Sequence, residues 1–440
     1  MKKTLFLLSI ISLIVFMASC YAQYRKSPSK YGDFVEFGGD ITQYHLLGVN
    51  IALGNGYKSG LSSKIHIDDY KFMVYLRPNS DERKRYMNFA KNPSGPRYSF
   101  YREPGYPIFL GAIYRIFGIH PLAVKIIQTI LIGFVSAMLP LIGFYYWKRT
   151  GLLAGIIASY IFNQSFGFEP WRLMTEALNL FCLTLWVITL INWEYRANNR
   201  SAFLLGIGSY LTVLVRGSNT LILICTICYI LVKTKAVGNR IRIGSAFFSG
   251  VMLLLLPWSI YATSRSGEFV LVCNGHLEKL ILDGNNEDTL DRGIWNPGWR
   301  KPANHLSRTH RKYEDYLYNR LKDKGYSNTE KALIFLRKYW RSIPRMAINK
   351  LRAAFNNYYG PIILCMLAFY IVYFMTREGK APLFPLILLF TIVFNTLITF
   401  GCQRFVLVFA PFFLIPAAYA PIYICNVLSN MLPKFKTTSR

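Results

Sequence analysis

"LAVKIIQTILIGFVSAMLPLIGFYYW", residues Leu122–Trp147, contains a single charged residue, Lys125, close to its start. A bilayer core about 30 Å thick is crossed by roughly 20 predominantly apolar helical residues, so this stretch reads as a membrane span. A basic turn, "WKRT", closes it, and a second apolar run, Leu152–Phe166, begins just beyond. Apolar runs separated by short basic or Gly/Pro-containing turns are the pattern by which the rest of the chain is read.

Working outward, further runs cover Trp171–Trp193, Ala202–Val215, Thr220–Val232, Ile243–Ala262, Tyr359–Phe374, Leu383–Phe400 and Phe405–Leu428. With Thr4–Ser19 upstream, about ten spans are expected. The composition agrees: 53% of residues are hydrophobic and only 17% charged, which excludes an ordinary soluble enzyme. The fold class is therefore an all-α polytopic membrane protein. Ile108–Phe117 is too short to cross and reads as an interfacial helix. Thr4–Ser19 follows Met1, Lys2 and Lys3 and ends at "FMASC", which resembles a secretory signal peptide or a lipoprotein processing site. Met17 fits the lipoprotein pattern poorly, and an uncleaved first anchor is the simpler account.

Short cytoplasmic loops retain Lys and Arg, so the connections can be sorted by charge. With the N-terminus inside, the cytoplasmic set is "WKRT", "YRANNRS", "KTKAVGNRIR", "TREGK" and the tail "KFKTTSR", all basic; the opposite set, "NQSFGFEP", "RGSN" and "CQR", is much poorer in charge. This places the chain in the cytoplasmic (inner) membrane with two long outer segments, 20–121 and 263–358. The organisation follows: 1–262 as an N-terminal transmembrane module that includes the first outer loop, 263–358 as a second outer loop, and 359–440 as C-terminal spans with a basic cytoplasmic tail. Both outer loops are basic within a chain of formal net charge +29. Long loops escape the orientation rule, so an anionic partner is expected there: membrane lipids, a lipid phosphate or a charged glycan, and not nucleic acid.

In the second outer loop, "HLSRTHRKYEDYLYNRLKDKGYSNTEKALIFLRKYWRSIPRMAINKLRAAF" reads as two amphipathic helices broken at "KGYSN", with Leu333, Leu336, Trp340, Ile343, Ile348 and Leu351 available for an apolar face. The preceding "GEFVLVCNGHLEKLILDGNN" alternates enough to be a strand or extended segment. Cys182, Cys225, Cys228, Cys365 and Cys425 fall within expected spans, so the Cys225 and Cys228 pair is membrane core and not a redox or zinc motif; Cys20, Cys273 and Cys402 do not make a disulfide framework. His66, Asp68 and Asp69 lack a further ligand at recognisable spacing, and a solvated loop is their default.

Asp40, Arg102, Glu103, Glu169, Arg172, Glu176, Arg216 and Arg404 all fall at the outer ends of spans or in outer loops. Charges at membrane depth are costly, so they line a wet cavity, pair with each other, or bind something charged. A sugar on a lipid phosphate has its leaving group already attached. Its transfer needs a carboxylate to take the acceptor's proton, and fixed cations to hold the phosphate as charge grows on it. Arginine suits the second role because its planar fork binds phosphate oxygens in pairs and stays charged. Direct displacement would invert the anomeric carbon without a covalent enzyme intermediate.

The stretches "GGDITQYHLLGVNIALGNGY", "YREPGYPIFLGAIYRIFG", "PWRLMTEALNLF", "LTVLVRGSNTLIL", "LLPWSIYATSRSGEFVLVCNGH" and "QRFVLVFAPFFLIPAA" together resemble the bacterial branch of the GT-C glycosyltransferases. More narrowly, they resemble the family of dolichyl-phosphate-mannose protein mannosyltransferases and lipid A aminoarabinose transferases (glycosyltransferase family 39-like). The resemblance runs in order over nearly the whole chain. It implies a polyprenyl-phosphate sugar donor, an extracytoplasmic acceptor (protein, lipid A or glycan), no required cofactor, and a divalent metal left open. It also makes Asp40 the candidate base, Arg102 and Glu103 the start of the second block, Glu176 the acid near the outer end of a span, Arg216 the arginine of an "LtR" block and Arg404 the arginine opening the last block, with the arginines as phosphate ligands. Many relatives carry a second acid directly after the first, whereas Ile41 follows Asp40 here, which leaves Glu103 as the second acid if the loop folds it inward.

Plainer roles stand beside these. Gly38, Gly39, Gly54 and Gly56 suit turns, and Pro104 and Pro107 suit a helix entry. Tyr44, His45 and Tyr57 suit a sugar or an interfacial aromatic belt, and Trp258 and Arg265 suit an anchor. Two other classes fit the same charges: a lipid-linked glycan transporter or flippase, and an O-antigen ligase or polymerase. A transporter is expected to show internal repeats and charges at the bilayer midplane, and neither stands out.

Overall fold

The computed structural model describes residues 2–36, 39–60, 72–73, 97–165, 170–286, 289–290, 293, 321, 324–355, 359–376 and 381–431. Helix dominates them. The elements are α1 (Lys2–Lys26), α2 (Gly39–Ala52), α3 (Gly105–Phe117), α4 (Pro121–Ser165), α5 (Glu176–Arg196), α6 (Asn199–Val215), α7 (Thr220–Lys233), α8 (Val237–Ser266), α9 (His276–Gly284), α10 (Asn328–Lys338), α11 (Ile343–Ala354), α12 (Tyr359–Thr376), α13 (Phe384–Ile398), α14 (Gln403–Leu407) and α15 (Ala410–Met431). Two short ladders tie the first loop together: Val35–Glu36 pairs in parallel with Phe72–Met73, and Lys58–Ser59 pairs antiparallel with Arg97–Tyr98.

Among the described residues, six helices are long and apolar enough to cross a membrane, and Gly217–Lys233 and Phe384–Ile398 are shorter apolar helices. Every expected span coincides with helix, with two adjustments. The Trp171–Trp193 run becomes helical only at Glu176, after a turn, and the Phe405–Leu428 run is divided between α14 and α15.

The opening stretch and its successor form one hairpin. Non-helical backbone at Trp147 and Lys148 (φ −131° and 55°) splits α4 where the basic turn was expected. Small residues let the two halves close up: an added Cβ at Gly143 would lie 2.1 Å from the Gly151 carbonyl oxygen, and one at Gly155 would lie 2.5 Å from that of Leu139. In a bilayer, where water does not drive helices together, such close backbone approach is a main source of association. Gly143→Ala is therefore expected to overpack the hairpin, at a cost of roughly 1–3 kcal/mol. A lowered melting temperature in detergent reads it, with Gly238→Ala as the control, since nothing lies within 4 Å of that site. Equal melting of both variants sinks the packing argument.

The remaining helices alternate in direction for local reasons. Ala197, in left-handed backbone, ends α5, and Asn198 caps α6 through a reciprocal box with Ser201, so "RANNRS" is a tight reversal. Gly206 and Gly250 then bring α6 and α8 into backbone contact, each placed against a carbonyl of the other helix (Phe247 and Phe203). Helix α1 docks on α4 through buried polar groups: the Ser19 hydroxyl donates to Asn163 Oδ1 (2.7 Å), as does the Gln23 amide (2.9 Å).

In the long loops, α3 is the helix expected over Ile108–Phe117, entered at Pro104. It is not merely surface-bound, because Tyr106, Leu110, Ile113 and Tyr114 are buried and it packs on α2 across Gly48 and Gly111. One expectation is corrected: residues 276–284 form helix α9, not a strand. The reason is visible in "HLEKLIL", where Leu277, Leu280 and Ile281 recur at helical spacing. Of the two amphipathic helices, the second is α10 with α11, started by a capping box between Ser327 and Glu330; most of the first, including residues 301–320, lies outside the described residues. Leu333, Trp340, Ile343 and Ile348 are exposed on it.

Candidate functional site

Asp40 lies in the first turn of α2, where the helix dipole favours an acid. Gln43 and Tyr44 follow at i+3 and i+4, on the same helical face. That face meets Arg102 from farther along the loop, with the Tyr106 ring edge to face on Tyr44 at 5.1 Å. The Nη2 of Arg102 donates to Asp40 Oδ1, its Nε donates to Gln43 Oε1 at 2.7 Å, and its guanidinium carbon lies 5.3 Å from the Tyr44 ring and 5.2 Å from that of Tyr101. Tyr57 fixes the backbone there: its hydroxyl donates to the carbonyls of Arg102 (2.9 Å) and Glu103 (3.2 Å). Gly54 and Gly56, both with positive φ, make the turn that brings Tyr57 back.

Glu103 does fold inward. It is buried, and its Oε1 accepts the Gly217 N–H at 3.1 Å. That bond attaches the first long loop to the end of α6, where Arg216 terminates the helix in extended backbone and stays half-buried. Gly105 supports the same junction, lying directly against the Leu214 carbonyl. From the other side, the Asn395 amide on α13 donates to the Ser218 carbonyl at 2.9 Å.

Next to this cluster stands a second acid–arginine pair. Arg404, on α14, donates from Nε to Glu176 Oε1 at the start of α5, and its Nη2 lies 3.7 Å from the Met174 sulfur. The two pairs are inverses of one another. In the first, the arginine is buried (9% exposed) and the carboxylate open (43%); in the second, the carboxylate is buried (7%) and the arginine open (41%). Each open charge is thus oriented by a buried counter-charge. The pairs also share a field: Asp40 acts on Arg404 beside Glu176, and Tyr44 feels Glu103, Arg102, Asp40 and Glu176 together.

Burial, and then the neighbouring acids, pushes the Tyr44 phenol above its ordinary range and that of Tyr101 to about 12. Burial likewise raises the Cys273 thiol to about 12, with Glu103 adding to it. These groups stay protonated at neutral pH.

The residues named from sequence separate as follows. Asp40, Arg102, Glu103, Glu176 and Arg404 converge with Tyr44, and Arg216 adjoins them through Gly217. His45 is fully buried, with Nδ1 2.8 Å from the Tyr114 hydroxyl in the α2–α3 seam. Arg172 is exposed at the surface. Glu169, His66, Asp68, Asp69 and Gly38 lie outside the described residues. Among the described residues, no group of three or more His, Cys, Asp and Glu is placed to hold a metal ion. Gln43 and Tyr101 were missed; the i, i+3, i+4 spacing of Asp40, Gln43 and Tyr44 was the available signal.

Lys350 closes the second long loop onto the same end of the bundle. It is fully buried on α11, donating from Nζ to the Leu397 carbonyl (2.9 Å) and Asn285 Oδ1 (3.1 Å). Burial pushes its ammonium down to about 7. Between that value and its ordinary value of 10.5 the unfolded chain binds the extra proton, so stability should rise with pH from about 7 to 10.5 and be flat below. Lys350→Met is expected to remove that slope in melting temperature, and an unchanged slope would contradict the assignment.

No family model, characterised protein or solved structure matches this chain.

Proposed function

We propose that this chain is an integral membrane glycosyltransferase of GT-C type. It moves a sugar from a polyprenyl-phosphate carrier to an acceptor outside the cytoplasmic membrane. What carries the reading is the inverse pairing: an open carboxylate, Asp40, and an open guanidinium, Arg404, within each other's field and each held by a buried counter-charge.

In this reading Asp40 takes the proton of the acceptor hydroxyl or amine as that group attacks the anomeric carbon. The bond from that carbon to the phosphate oxygen breaks on the opposite face, so the configuration inverts. Negative charge develops on the phosphate, and Arg404, with Arg216 beside Gly217, receives it. Arg102 holds Asp40 in place, and Glu103 joins the loop to α6 and acts as the second acid of the site. Tyr44 supports Arg102 from below; His45 acts on substrate only through its hold on the α2–α3 seam. The chemistry requires no cofactor. About ten crossings with the N-terminus inside put this end of the bundle on the outer face.

The test uses purified protein in lipid, a panel of radiolabelled polyprenyl-monophosphate sugars and a membrane extract as the acceptor pool. Transfer of label to the extract is expected. Movement of carrier across the bilayer without transfer replaces this reading with a flippase, and dependence on diphosphate-linked oligosaccharides replaces it with an O-antigen ligase or polymerase.

A further inference from the structure

A polar cavity lies at the end of the bundle opposite the acid–arginine pairs. Glu194 and Glu176 stand near opposite ends of α5, about 27 Å apart at 1.5 Å per residue. The cavity beside Glu194 measures about 570 Å³ and is lined by Tyr146, Trp193, Glu194, Tyr229, Lys233 and Tyr373, among others. Its size lies in the range of small-ligand sites.

Its chemistry selects a cation. The Tyr146 hydroxyl donates to Glu194 Oε2 (3.0 Å) and that of Tyr229 donates to Oε1 (2.9 Å), so two neutral groups orient the carboxylate without neutralising it. Among the described residues no cation stands within ion-pair distance of Glu194, although this end carries Lys148, Arg149, Arg196, Lys233 and Lys235. Helices α5 and α7 both end here, and helix C-termini carry partial negative charge. The Trp193 and Tyr229 rings meet edge to face at 5.8 Å, which adds aromatic wall of the kind that attracts ammonium groups. Lys233, with Nζ 5.8 Å from the centre of the Tyr229 ring, sets a positive charge at the mouth.

We infer that this cavity receives the headgroup of a primary-amine zwitterionic phospholipid, with the ammonium on Glu194 and the phosphate toward Lys233. A primary ammonium donates hydrogen bonds to the carboxylate, which a quaternary one does not, and the positive charge of Lys233 beside the acid suits a lipid that carries both charges. The inference is independent of the glycosyltransferase reading.

Native mass spectrometry of protein equilibrated with equal amounts of phosphatidylethanolamine, phosphatidylcholine and phosphatidylglycerol reads the retained lipid. The wild type should retain the ethanolamine lipid about tenfold over the other two, and Glu194→Gln, which keeps both hydroxyl partners, should lose that preference. Any order in which the ethanolamine lipid does not lead, or a lead that survives Glu194→Gln, overturns the inference. Should the variant fail to fold, wild-type melting decides instead. Glycerophosphoethanolamine should raise the melting temperature more than glycerophosphoglycerol does, and equal effects overturn the inference.

Discussion

Asp40→Asn should leave a folded, inserted protein whose rate of sugar transfer falls by about 10²–10⁴-fold, the usual contribution of a general base. The variant keeps an oxygen at the place where Arg102 donates, and Gln43, Tyr44 and Tyr101 still surround the guanidinium. Because Asp40 is the open member of its pair, little desolvation was invested in its charge, and the loss of stability should be on the order of 1 kcal/mol. The fall should appear in kcat with donor KM nearly unchanged, since in the proposed reaction the carboxylate acts on the acceptor's proton and not on the phosphate. Transfer at the wild-type rate by correctly inserted Asp40→Asn would remove Asp40 as the base.

Arg404→Gln should do two things that a second substitution can separate. It strips the counter-charge from Glu176, which is 7% exposed, and an uncompensated buried carboxylate is costly. Arg404 itself faces outward, so the cost should fall below the 3–5 kcal/mol of a fully interior pair, at about 2–3 kcal/mol. It also removes the proposed phosphate ligand. Adding Glu176→Gln makes the pair neutral and hydrogen-bonded, so the double variant should recover most of the lost melting temperature. Transfer should stay low in both, with donor KM raised. If activity returns along with stability, Arg404 is only a helix-end strut and the phosphate site lies elsewhere.

Most of the helical frame was legible without the structure, because its causes are local. Apolar runs of spanning length, the small residues around the "WKRT" turn and the cap of "RANNRS" each act within a few residues of themselves. The segment at His276–Gly284 was misread because the alternation of "FVLV" was allowed to run into "HLEKLIL", whose spacing is helical. Of the site, residue identities were legible and roles less so. Tyr57, expected to face a sugar or the interface, is a buried strut under Arg102 and Glu103, and His45 belongs to a helix seam.

What the amino-acid sequence by itself determined is the frame of apolar helices, their alternation of direction, and the collection of acids and arginines at one end of them. Hydropathy, helical periodicity and capping are properties of neighbouring residues, so the chain carries them wherever it folds. Only the tertiary structure decided that Asp40 meets Arg102 across 62 residues and Glu176 meets Arg404 across 228, and which member of each pair is buried. Burial of a charge depends on what packs over it, and here the cover comes from distant segments: the first long loop over Arg102, and the helix ends over Glu176.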